Sequence, residues 1–198
     1  MLEPVAQYVH SWHIDAICQH LEAVTYGKIN RLLINVPPGS MKSLLVSVFW
    51  PAWEWSQGFS SYRYITTSFA EDATKRDTRK MRTLVTSEWY QSLFPHIRLT
   101  RTGETGLENS ATGFRESSAF GSLTSKRGDR LIIDDPHSVE TAESDNQRNK
   151  TTLEFREGAL NRLNDQQRSA IIVVMQRLHE FDMSGIILLY DMRSKSTV

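Results

Sequence analysis

Short aliphatic runs that turn abruptly polar at their C-terminal ends alternate, along this chain, with longer stretches whose apolar residues recur at helical spacing. The first pattern marks strands buried on both faces and the second amphipathic helices. Their alternation predicts the α/β class, a central, mainly parallel sheet flanked by helices. HIDAICQHLEAV, from His13, places Ile14, Ile17, Leu21 and Val24 on one helical face and ends at Gly27. RLLINV, residues 31–36, then reads as a buried strand. SLLVSVFW, from Ser43, is apolar nearly all round, as expected of a helix inside such a domain, until Pro51 bends or stops it. YRYITTSF, from Tyr62, is a second strand, and a charged helix runs from Ala70 to about Val85. RLIIDD, from Arg130, and SAIIVVMQ, from Ser169, are further strands, while the stretch from Ala142 to Leu163 reads as a surface or lid helix.

Composition narrows this picture. A chain of 198 residues with 39% hydrophobic content can bury one sizeable core, so a single domain over residues 1–198 is expected. Lys+Arg and Asp+Glu are both 23, which argues against a generally basic nucleic-acid coat; any such contact must be local. The single cysteine, Cys18, excludes an internal disulfide framework, fits a reducing cytoplasmic compartment and sits where a small core residue belongs. No apolar run approaches the length of a membrane span, and MLEPVAQYVHSW lacks the regions of a signal peptide.

Candidate chemistry begins at INVPPGSMKS, residues 34–43, which follows a strand and precedes a helix. In that position the loop Pro38-Gly39-Ser40-Met41, through the backbone N–H groups of its last three residues, and the helix start would face an anion. Lys42 would neutralise the β- and γ-phosphates of ATP, and Ser43 would offer its hydroxyl to Mg2+. Against the G-x-x-x-x-G-K-[ST] pattern, Val36 and Met41 replace the two glycines and only Gly39, Lys42 and Ser43 remain. The competing reading is an ordinary strand-to-helix turn punctuated by Pro37, Pro38 and Gly39.

The second piece is DRLIIDDPH, residues 129–137, a strand that delivers adjacent carboxylates at its tip. Phosphoryl transfer needs one carboxylate for magnesium and another to orient or deprotonate the attacking water, and Asp134 suits the first role and Asp135 the second. A strand running into a solvated Asp-Asp-Pro turn is the alternative. Both motifs in this order, each after a strand, point to a nucleotide site.

With RLLINVPPGSMKS followed by WPAWEW, GSLTSKRGDRLIIDDPH and IIVVMQRLHEFDMSG, the chain resembles the ATPase domain of the large subunit of bacteriophage terminases, from about Trp12 to Gly185. The resemblance implies a P-loop NTPase of the additional-strand type, with the strand ending at Gln176 between the phosphate-loop strand and the Asp134 strand. It implies ATP and Mg2+ as cofactors and a role for Gln176 at the γ-phosphate. Arg177 and His179 would pass on the loss of that phosphate. It also places the N-terminal helix, with Trp12 and His13, over the adenine, His13 being a structural residue more than a base contact. Partners implied are double-stranded DNA, a portal or procapsid, a small terminase subunit and further copies in a ring, the isolated chain being monomeric.

Several family members carry arginine in this loop, whereas none stands here between Pro37 and Ser43. An arginine from a neighbouring subunit is then expected, with Arg127, between Gly121 and Gly128, as the candidate and Arg115 as the alternative. Lys75, Arg76, Arg79, Lys80 and Arg82 form a basic stripe on the charged helix that suits DNA phosphates and equally suits solvent. The family's nuclease domain has no counterpart here, and GIILLYDMRSKSTV is a candidate for the last strand of the sheet. Rival readings are another P-loop DNA translocase or helicase, or an inactive nucleotide- or DNA-binding remnant.

Overall fold

The computed structural model describes residues 8–195. Along the chain run α1 (Trp12–Thr25), β1 (Arg31–Asn35), α2 (Lys42–Leu44), a π-helical turn (Leu45–Phe49), α3 (Trp50–Ser56), β2 (Arg63–Ser68), α4 (Glu71–Val85) and α5 (Glu88–Leu93). There follow β3 (Leu99–Thr102), β4 (Gly106–Asn109), β5 (Phe114–Ala119), a 3₁₀ segment (Phe120–Ser125), β6 (Arg130–Asp134), α6 (Val139–Glu143), α7 (Asp145–Gly158), a 3₁₀ turn (Ala159–Arg162), β7 (Ala170–Met175) and α8 (Met183–Lys195).

One sheet gathers the strands in the order β1-β7-β6-β2-β5-β4-β3. The first five are mutually parallel, and β4 and β3 extend the edge antiparallel. β7 thus lies between β1 and the Asp134 strand, the order expected from the sequence. Register carries Ile34, Val174, Asp134 and Ser68 across one row at the C-terminal ends. Alternate residues of the central strands feed opposite cores, because successive side chains leave opposite faces. Tyr64, Ile132, Ile172 and Val174 meet α1, α3 and α4 through Leu21, Trp55 and Met81. Ile65, Leu131, Ile133, Ile171 and Val173 meet Phe120, Leu163 and Met183.

Pro51 does not stop the helix that follows the loop after β1: it occupies the first turn of α3, immediately after the π turn. Having no N–H, it cannot serve the Ser47 carbonyl four residues back, and the Arg115 guanidinium donates to that oxygen through Nε at 3.2 Å. GIILLYDMRSK is helical, within α8, and not a strand; residues 196–198 lie outside the described residues. The helical stretch from Ala142 is broken at Ser144 into α6 and α7. Gly128 is closely packed, since a Cβ there would stand 2.8 Å from the Arg63 carbonyl.

Where the strands begin, α3 sinks Glu54 into the core. Arg130 donates to its carboxylate through Nη2 at 2.9 Å and Nε at 3.2 Å, and the Tyr64 hydroxyl donates to its other oxygen at 2.5 Å. The Arg130 guanidinium also lies 4.5 Å from the centre of the Tyr62 ring. Among the described residues no helix is long and apolar enough to cross a membrane.

Candidate active site

The loop after β1 turns sharply because Gly39 and Met41 both take positive φ, 78° and 61°. Glycine adopts this conformation without strain, whereas methionine does so at a cost of about 1–2 kcal/mol. Met41 therefore supplies the backbone shape of the glycine it replaces. Ser40 closes the turn by donating from its hydroxyl to the Pro37 carbonyl at 2.7 Å, and His13 of α1 meets the Ser40 carbonyl through Nε2 at 3.2 Å. The His13 contact is to the loop backbone.

Lys42 opens α2 and is buried, with its ammonium 2.9 Å from Oδ2 of Asp135. The other oxygen of that carboxylate accepts from the backbone N–H of Gln176 at 3.2 Å. Asp135 itself sits at φ 43°, a left-handed conformation that re-aims the chain just past the β6 tip. Asp134, 7% exposed, accepts a hydrogen bond from Ser43 and keeps Oδ1 buried without a partner. Burial pushes its pKa up to about 7; the Ser43 bond opposes that rise, and Asp135 and Asp77 add to it.

Past Gln176 the chain is closed by Asp182, fully buried, whose carboxylate accepts from the N–H groups of Leu178 at 2.9 Å and Gly185 at 2.9 Å. Arg177 reaches the same carboxylate at 3.4 Å. His137, two residues beyond Asp135, accepts from the Met183 N–H through Nε2 at 3.1 Å and ties the carboxylate loop to α8. Sequence reasoning passed over His137, although its place just after Asp134-Asp135-Pro136 was a usable signal.

The fold brings Lys42, Ser43, Asp134, Asp135 and Gln176 together and places His13 on the loop. It does not bring Arg127 to them. Arg127 is exposed before β6, at the end where the strands begin, while Asp134 stands at the other end of that strand. Arg115 is overturned as a finger: it is fully buried, bonded to the Ser47 carbonyl and to Thr78, and burial lowers its pKa to about 10. The basic stripe is partly neutralised, with Lys75 beside Glu71 at 3.3 Å and Arg79 beside Glu104 at 3.7 Å.

No protein-family model matches the chain, and no curated protein matches it by sequence. Among solved structures, the large terminase of bacteriophage HK97 is similar in fold, with a TM-score of 0.60 at 12% identity over 97% of this chain. The chain spans 39% of the length of that terminase. The likeness is one of fold, a mixed α/β architecture with a mostly parallel sheet flanked by helices.

Proposed function

We propose that this chain is a single ATPase domain that drives double-stranded viral DNA into a procapsid, as the large subunit of a terminase would. One observation carries the reading: at the C-terminal ends of adjacent parallel strands, a left-handed loop sets Lys42 and Ser43 directly against Asp135 and Asp134. Bound ATP with magnesium would supply the transferable phosphoryl group and the cation that offsets its charge. The orphaned, buried Oδ1 of Asp134 beside a serine hydroxyl fits such a cation. Among the described residues no cluster of three or more His, Cys, Asp or Glu side chains gathers to hold a metal, and magnesium suits a site of one carboxylate and one hydroxyl completed by phosphate and water.

In this reading Lys42 exchanges Asp135 for phosphate oxygens. The released Asp135 carboxylate orients the attacking water and accepts its proton, and its displacement is felt at once by Gln176, whose N–H it held. The turn organised by Asp182 carries that movement to α8. Arg127 serves the site of a neighbouring copy, in a ring that also engages a portal and a small terminase subunit, and the basic face of α4 contributes to DNA contact.

The test is ATP turnover with and without Mg2+ and duplex DNA, in the wild type, Lys42→Ala and Asp134→Asn. Each variant is expected to lose at least about 10²-fold in rate while remaining folded. Near-normal turnover in a folded variant removes that residue from the site, and a wild type that binds ATP without turnover makes the chain a binding remnant. Strand unwinding coupled to turnover favours a helicase. Mixing Arg127→Ala with Lys42→Ala chains under associating conditions restores activity if the finger acts between copies, a contribution worth about 10³ to 10⁵ in rate in related chemistry.

A further inference from the structure

On the β2 side of the carboxylates lies a cleft of about 250 Å³ lined by Ser43, Ser68, Asp134, His137 and, from α4, Arg76. Arg76 is half exposed, yet its Nε donates at 3.2 Å to Asp77, a carboxylate that is only 4% exposed. No other partner holds Arg76 among the described residues, so both terminal nitrogens of its fork are uncommitted. A solvated arginine needs no buried anchor; a fork that must point in one direction does.

The rest of the cleft is short of partners too. His137 accepts through Nε2, and burial lowers its pKa, so its proton sits on Nδ1, which is buried with no partner. The Ser68 hydroxyl is committed to the Asp135 carbonyl at 3.4 Å, so the donors left over on this wall, beside Ser43 and Asp134, are the Arg76 fork and, buried behind the surface, the His137 N–H. That is what an incoming phosphoryl oxygen requires.

We propose that Arg76 binds the γ-phosphate of ATP within its own chain, supplying from α4 the guanidinium that the phosphate loop lacks. The proposal rests on the reading of Lys42 and Asp134 as an ATP site and adds to it the group that tells triphosphate from diphosphate. Asp77 is then a positioning residue, holding Nε so that the two terminal nitrogens face inward.

Binding distinguishes this from its rivals. Affinities for a non-hydrolysable ATP analogue, for ADP and for a short DNA duplex, each with Mg2+, are measured by fluorescence displacement for wild type, Arg76→Ala and Arg76→Lys. Arg76→Ala is expected to lose roughly tenfold or more in affinity for the triphosphate, the worth of a charge-assisted hydrogen bond, with ADP binding within about twofold of wild type and a smaller loss for the duplex, which the other basic residues of α4 also hold. Arg76→Lys, which keeps the charge but not the fork, falls between. Unchanged ADP affinity also shows that the variants are folded. The proposal is overturned if Arg76→Ala retains the preference for triphosphate, if both nucleotides weaken equally, or if only duplex binding is lost, which reassigns Arg76 to DNA. A wild type with affinity for neither nucleotide overturns the ATP site itself and this inference with it.

Discussion

Where the strands begin, Glu54 is buried with a partner for each oxygen, held by Arg130 and Tyr64. Where they finish, Asp134 is nearly as buried, but one oxygen meets nothing and its neighbour Asp135 is bent into a left-handed backbone. A buried carboxylate thus stands at each end of one sheet, satisfied at one and left wanting at the other. A closed network stabilises its own fold, whereas an incomplete one is stabilised by whatever completes it.

The comparison breaks most visibly at the satisfied end. Glu54→Ala strands the Arg130 charge in the core and is expected to cost about 3–5 kcal/mol in a denaturant titration. A loss near zero would show that Glu54 is as dispensable to the fold as a site carboxylate.

Asp134 should behave in the opposite sense. In the folded chain its carboxyl keeps its proton up to about pH 7, whereas the unfolded chain releases it near 3.8, the ordinary value of an aspartate. Between those values the folded state binds more protons, so stability falls as pH rises and the loss is complete above pH 7. Asp134→Asn is therefore expected to exceed the wild type at pH 8 by up to about 4 kcal/mol and to lose that advantage near pH 4. Mg2+ should raise the melting temperature of the wild type at pH 8 and leave Asp134→Asn unmoved. A wild type more stable at pH 8 than its asparagine variant would contradict this account.

Smaller changes sharpen the contrast within the site. A Cβ at Gly185 would stand 1.8 Å from the Glu180 carbonyl, inside the turn that Asp182 closes, so Gly185→Ala is expected to cost about 1–3 kcal/mol by thermal melting. Met41→Gly relieves a left-handed methionine and should gain about 1 kcal/mol without weakening nucleotide binding. A sharp fall in ATP affinity there would give the methionine side chain a contact of its own.

The parallel centre of the sheet was legible because strands buried on both faces leave uninterrupted aliphatic runs, as in RLIID and AIIVVM. The far side of the sheet was not: FRESSA, still parallel to β2, and the antiparallel GLEN and LTRT are rich in polar residues and leave no aliphatic run to read. GIILLY misled because a short apolar run fits a helix and a strand equally. Within the site, Lys42, Ser43, Asp134 and Asp135 announced themselves by position after strands. Arg115 did not, since nothing local tells a buried guanidinium from a solvated one. Asp77 shares the buried face of α4 with Thr74, Thr78 and Met81, a helical-wheel signal that was available.

The π-helical turn at Leu45–Phe49 sets the angular phase between two rigid stretches. One extra residue in that turn advances everything beyond it by about 100°, the rotation of one helical residue. The serine that addresses the β6 tip and the glutamate that addresses the start of the same strand lie along one helical rod, and they face their separate targets through this single widened turn. A one-residue deletion between Leu45 and Phe49 would rewind it and leave the two addresses out of step, each correct only when the other is wrong.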